Sequence, residues 1–190
     1  MKKNGFSGLL AVFALATSAV VVPQLAFAQK KPEKPAAAAS SPTAGQAQLG
    51  VFGDWGAFAS DTDGKGRVCF ALNKPKERLP KDLKRDDAYL FITTRAKEGV
   101  HNEIAFELGF PTKDSSVGEM IIGNTKYPVV TKGKNAWLKN AAEDGNAIEL
   151  MKKNKTMTVK TSSAKGNATT DHYNLAGLQQ ALDRIKKECP

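Results

Sequence analysis

Histidine and cysteine are almost missing from this chain. His101 and His172, with Cys69 and Cys189, are the only ones among 190 residues. No His-x-x-x-His or Cys/His cluster gives the ligand spacing of a zinc site. No serine sits in a Gly-x-Ser-x-Gly elbow. Neither cysteine has a Cys-x-x-Cys partner, or a histidine close in sequence to lower its thiol pKa. Gly64-Lys65-Gly66 lacks the rest of a phosphate-binding loop. Asp171-His172 resembles a dyad but fits a surface histidine near a strand end. Glu103 and Glu107 lie two side-chain repeats apart; a glycosidase uses such a pair, yet a solvated strand face explains them more simply. Catalytic residues, cofactors and metal ligands are therefore not expected, and the chain is read as a non-enzyme.

Long apolar runs are scarce too, with one exception. Lys2 and Lys3 precede an almost wholly apolar or small stretch over residues 8–25, Pro23 breaks it, and Ala26-Phe27-Ala28 follows. A charged start, a short apolar run and a small-x-small end describe a secretory signal peptide over residues 1–28. The alternative is a retained anchor, but the uninterrupted run is shorter than the ~20 residues a span needs. Residues 29–48 contain neither leucine nor an aromatic side chain. Such a segment cannot bury enough apolar surface to offset its ordering entropy, so it is expected to be a disordered Ala/Pro/Lys-rich tether. The folded domain is assigned to residues 49–190, enough for one hydrophobic core.

The formal charge is +9, or +7 without Lys2 and Lys3. Lysines are scattered. The densest cluster, Lys74, Lys76, Arg78, Lys81, Lys84 and Arg85, is diluted by Glu77, Asp82, Asp86 and Asp87. That dilution argues against a phosphate-tracking stripe, so nucleic acid is not the expected partner.

Period-two alternation dominates the domain. Val68, Phe70 and Leu72 share one strand face, Cys69 and Ala71 the other. Ala88-Tyr89-Leu90-Phe91-Ile92 predicts a strand buried on both faces. Ile104, Phe106, Leu108 and Phe110 alternate with Glu103, Ala105, Glu107 and Gly109, and Pro111 ends that strand. Gly123-Asn124 between apolar runs predicts a hairpin; Pro128 places its strand at an edge or bulge. Residues 132–134 and 165–167 read as further turns, and Met157 and Val159 as inward-facing.

Two helices are expected. One spans residues 141–153, with Ala141, Ile148 and Met151 on one side. The other carries Leu175, Leu178, Leu182 and Ile185 as one stripe, with Asn174 at its N-cap. The predicted core is Trp55, Val68, Phe70, Leu90, Ile92, Ile104, Phe106, Leu108, Trp137, Leu178, Leu182 and Ile185. The fold class is mainly β: a β-sandwich-like single domain with one internal and one C-terminal helix. Cys189 continues the last stripe and Cys69 sits mid-strand. In an exported chain, one disulfide between them is expected; two free thiols or an intermolecular bridge are the alternatives.

Val51-Phe52-Gly53-Asp54-Trp55, then Arg67-Val68-Cys69-Phe70-Ala71-Leu72, resembles the opening of the invasion-associated locus B family. The likeness continues through Asn102-Glu103-Ile104, Thr131-Lys132-Gly133, Ala136-Trp137-Leu138, Ala141-Ala142-Glu143, Met157-Thr158-Val159-Lys160 and Ala168-Thr169-Thr170-Asp171 into residues 173–182. The resemblance implies an exported Gram-negative envelope protein with a β-sandwich-like body. It implies no catalytic residues. Many members carry a further cysteine shortly after the Phe-Gly-Asp-Trp motif; Phe58 and Ala59 stand there instead, which leaves Cys69 with Cys189 as the only bridge. In that motif Gly53 is expected to turn, Asp54 to cap and Trp55 to pack. The expected function is non-catalytic interaction with a protein or an anionic envelope or host-surface partner, with host-cell invasion as a possible role. The alternative is a periplasmic accessory protein supporting envelope integrity or the stress response. The expected location is the periplasm or the outer-membrane surface.

Overall fold

The pleat of a strand sends alternate side chains to opposite faces, and this alternation sets which way the sheet turns its apolar side. The computed structural model describes residues 45–62 and 66–190. The signal-peptide assignment and residues 29–44 of the expected tether lie outside the described residues. The last tether residues do not: Gln46 already belongs to the first strand.

Among the described residues eleven strands form one continuous antiparallel sheet: β1 (Gln46–Phe52), β2 (Trp55–Thr62), β3 (Gly66–Asn73), β4 (Glu77–Leu79), β5 (Tyr89–Arg95), β6 (Val100–Glu107), β7 (Val117–Ile122), β8 (Thr125–Lys132), β9 (Asn135–Leu138), β10 (Thr156–Ser162) and β11 (Ala168–Asn174). Their order is β1-β2-β3-β5-β6-β9-β8-β7-β10-β11-β4. Helix α1 (Asp144–Lys153) and helix α2 (Leu178–Glu188) complete the body. The fold is mainly β with one internal and one C-terminal helix, as the periodicity predicts.

The sheet cannot be flat. The rings of Phe106 on β6 and Tyr173 on β11 lie 6.2 Å apart, although five strand intervals separate them in the sheet, about 24 Å if it were planar. The two halves therefore curl to face one another over a single core. Its floor and roof include Leu90, Ile92, Ile104, Phe106, Met120, Val129, Met157 and Tyr173, all buried. The inner face of the β1–β3 wing is covered instead by α2, which buries Leu178, Ala181, Leu182 and Ile185 against Trp55, Ala57 and Ala71. Helix α1 adds Ala147, Ile148 and Met151 beside β6 and β7.

Several expectations need correction, each for a physical reason. Phe70 and Val68 do not join the main core: on β3 the inward positions go to Cys69 and Ala71, and Phe70 packs outside with Phe58, Leu72 and Phe91. Trp137 is half-buried and faces outward, because Ala136 and Leu138 take the inner positions of β9. Leu108 and Phe110 are buried but lie beyond β6. Gly109 adopts φ +72° there, and a side chain on it would meet the Asp86 carbonyl at 2.3 Å. Pro128 lies in an interior strand. Its carbonyl accepts from Lys139 N–H just past the last rung of β9, so its ring faces a place where no ladder donor is needed. Ala141 is exposed in a 3-10 turn before α1. Helix α2 starts at Leu178, not after Asn174. Gly177 precedes it with φ +95°, where the backbone passes so close to Phe52 that a side chain would clash with its carbonyl.

Asp144, the first residue of α1, is buried, and one of its carboxylate oxygens has no hydrogen-bond partner among the described residues. Burial pushes its carboxyl up to about 6, with the nearby Glu103 charge adding to the rise and the Ile104 backbone N–H opposing it. Between the ordinary value of 3.8 and about 6 the folded chain holds a proton that the unfolded chain has released. Stability from this group is therefore full at low pH and falls as pH rises through that window. We expect the unfolding free energy of wild type relative to Asp144→Asn to decline between about pH 4 and pH 7. Parallel pH profiles in urea titrations would contradict this.

Candidate interaction surface

The Phe-Gly-Asp-Trp motif is the β1–β2 hairpin. Gly53 takes φ +61° as the first of two loop residues, the position glycine fills in a type II′ turn. Trp55 is fully buried, and its indole N–H has no partner among the described residues. Asp54 does not cap a helix. One of its oxygens accepts from Asn174 Nδ2 at 2.7 Å and the other pairs with Lys76. Asn73 Nδ2 donates to the Asn174 carbonyl at 2.7 Å, and a side chain on Gly53 would press on the Ala176 carbonyl. The motif thus joins the first hairpin to the end of β11.

Cys69 and Cys189 form a disulfide with Cα atoms 6.0 Å apart, inside the normal range. Both are buried. The bond ties the C-terminal end of α2 to the inward face of β3, as expected, and closes a loop with a sequence separation of 120.

Asp171 and His172 are not a dyad, because neighbours on a strand face opposite ways. The His172 ring meets Thr158 Oγ1 at 3.0 Å. Asp171 turns inward, where it accepts from Arg78 Nε at 3.1 Å and Arg85 Nη1 at 3.3 Å. The side chains of Asp171 and Arg85 are 3% and 4% exposed. Burial pushes the Asp171 carboxyl up against the pull of the two guanidinium groups. Arg78 also donates to the carbonyls of Asp86 and Leu108, and Arg85 to that of Pro80. The basic segment that looks solvated in sequence therefore sends its two arginines inside. The signal missed was their geometry: a planar guanidinium with five donors in a fixed fork suits a site that offers a carboxylate and several carbonyls at once.

The outer face of the sheet carries the unexplained feature. Cross-strand partners run Val51, Gly56, Leu72, Phe91, Ala105, Trp137, Val130 and Val117, from β1 to β7. This row contains no polar side chain. Val51 is 50% and Val117 62% exposed, and Phe91, Ala105, Trp137 and Val130 are half-buried. Beside it Phe58 and Phe70 stack at 5.3 Å, Phe58 lying over Gly56, and Lys74 sits 5.0 Å above the Tyr89 ring. An antiparallel sheet normally turns polar residues to solvent. Gly56 and Leu72 are buried within the row, and the accessible part from Phe91 to Val117, with its half-buried tryptophan, has the composition of a protein-binding patch. Sequence alone read Trp137 as core, since a partner-facing and a core-facing aromatic look the same in an alternating strand.

Between α1 and α2 a cleft of about 540 Å³ is lined by His101, Asn102, Glu149, Lys152, Asp183 and Lys186. Its charges do not converge: Glu149 pairs with Lys152 at 2.7 Å and Gln179 donates to Asp183 at 2.8 Å, each along its own helix. Glu103 pairs with Arg95 on the outer face. Among the described residues no three His, Cys, Asp or Glu side chains are grouped to hold a metal ion, and no helix is long and apolar enough to cross a membrane.

Two supports can be tested by stability. Replacing both cysteines with serine should cost about 2–5 kcal/mol in denaturant unfolding, and unreduced protein should give no free thiol after denaturation. Asp171→Asn strands two inward-facing cations, so it should cost about 3–5 kcal/mol, whereas His172→Ala should cost less than about 1 kcal/mol. Equal losses at the two positions would contradict the inward placement of Asp171. Comparison with known proteins finds no family model, no curated protein and no solved structure that matches this chain.

Proposed function

We propose that this is an exported, non-catalytic cell-envelope protein of the invasion-associated locus B type, which binds another protein through the outer face of its sheet. The observation that carries the reading is the apolar row centred on Trp137. Three further features support it. The N-terminal sequence has the form of a cleavable leader. A disulfide between two buried cysteines suits an oxidising compartment. The ordered likeness of motifs from Val51 to Cys189 fits the family. The absence of charge along the row favours a protein partner over an anionic lipid or sugar. In a bacterium that enters host cells, that partner is a host-surface protein. In one that does not, it is a periplasmic protein, and the chain serves the envelope as an accessory.

Export is tested by the N-terminus of the protein recovered from the producing cells. Gln29 as first residue supports it, while an uncut chain in the cytoplasm sinks it. Protease applied to intact cells separates the two locations, since only a surface domain is degraded while a periplasmic control survives. Binding is tested with a photo-crosslinking residue in place of Trp137 and, as control, in place of Gln180 on α2. A discrete adduct is expected at 137 alone; no adduct, or equal adducts at both, would end the reading. Trp137→Ala should keep the fold, with a loss well below the ~3–5 kcal/mol of a fully buried aromatic.

A further inference from the structure

We infer that β1 is a self-association edge, and that a second copy of this chain adds its own β1 antiparallel to it across a twofold axis. The inference is independent of the outer-face partner. Among the described residues the sheet ends at β1 and at β4, and the two ends are built in opposite ways. β4 has three residues, Glu77-Arg78-Leu79, flanked by Pro75 and Pro80 and by Lys76 and Lys81. Short length, proline and charge are the devices that keep an edge from pairing. β1 has seven residues, Gln46 to Phe52, with no proline and no charge, and its register on β2 shifts once, between Gln48 and Gly50. The neutral stretch is longer still, since no charged residue lies between Lys34 and Asp54 in a chain of which 25% is charged. Ala47, Gln48 and Val51 are exposed along it.

The occupant follows from charge and symmetry. Two copies with a net positive charge repel one another over most of their surfaces, and this edge is a place where they meet without opposing like charges. A twofold axis perpendicular to the sheet reverses the strand and keeps its faces, so β1 of each copy meets the other antiparallel, as in every other ladder of this sheet. It also leaves α2 of both copies on one face and sets the outer-face side chains of the two β1 strands side by side on the other. Because β4 is blocked, only one edge per copy can pair. The contact is isologous and closes as a dimer instead of growing into a fibre. A single added strand pair is a small interface, so the dimer is reversible.

Sedimentation of the mature chain from about 1 to about 200 µM tests this. The average mass should rise towards twice the monomer. Amides of β1 should exchange with deuterium more slowly at the high end of the range. Gln48→Lys with Val51→Lys places like charges on both sides of the axis and should weaken association at least about tenfold. A Glu77→Lys control at the other edge should leave it unchanged. Matching thermal melts of variant and wild type at low concentration show that the double variant is folded. Monomer throughout the range overturns the inference, as does a dimer that survives the two lysines with unchanged exchange at β1.

Discussion

Closure at Asn174 is the constraint on which the rest of this structure depends. Seven strand intervals separate β3 from β11 in the sheet, about 34 Å if it were planar, yet Asn73 of β3 donates to the Asn174 carbonyl at 2.7 Å. The Asn174 side chain uses its amide to hold Asp54 and its oxygen to accept from Ala176 N–H. One residue thereby locks the first hairpin, the third strand and the entry to α2. Glycine is required on both sides of the contact. Gly53 and Gly177 have positive φ, and a side chain on either would run into backbone of the other segment. The Phe-Gly-Asp-Trp motif is conformational in origin: its glycine and aspartate make the joint, and its tryptophan fills the core beneath.

The disulfide and the Asp171 cluster act on the two ends of this closure. α2 covers β1, β2 and β3 where the opposite half of the sheet does not reach, and the Cys69–Cys189 bond fastens its last turn to that wing. At the other end β4 has only three rungs on β11, too few to hold an edge strand alone. Arg78 and Arg85 anchor it by bridging Asp171 to the carbonyls of Asp86, Leu108 and Pro80. Desolvating three charges is costly, and such a cluster favours one arrangement over stability as such. Here it fastens the segment by which the chain leaves β3, visits the far edge and returns to pair β5 with β3.

The legible parts of the fold were those that depend on local period. The turns at Gly123-Asn124 and at residues 165–167 and the inward Met157 and Val159 follow from alternation and turn chemistry, whereas β5, expected to be buried on both faces, buries Leu90 and Ile92 and leaves Tyr89 and Phe91 half-buried on the outer side. What stayed hidden depends on partners distant in sequence. β4 is too short to show a period. Asn174 has the composition of an N-cap, but its side chain is taken by Asp54, and Gly177 moves the helix start. Trp137, Phe70 and Val68 are on alternating strands whose both faces are apolar, so periodicity gives the two faces without saying which is inside. That choice is made on β3 by the disulfide, since Cys69 must face α2, and it sends Phe70 and Leu72 outward.

The same choice explains why an apolar row exists outside at all. Both helices place their apolar faces on the inner side of the sheet, so the outer side has neither helix to cover it. A sheet without outer cover is stable with polar residues there; nothing in the folding of the inner core demands Leu72, Phe91, Trp137 and Val130 on one line. Leu72 is buried with Phe58 and Phe70 in a small outer cluster, where Phe58 lies over Gly56. Val51 and Val117 repair nothing: they sit at opposite ends of the row, exposed, where a charged residue would have cost the fold little. Apolar side chains that folding does not require are the residues on which the proposed binding rests. In this protein they lie along one cross-strand line that ends at the uncharged edge.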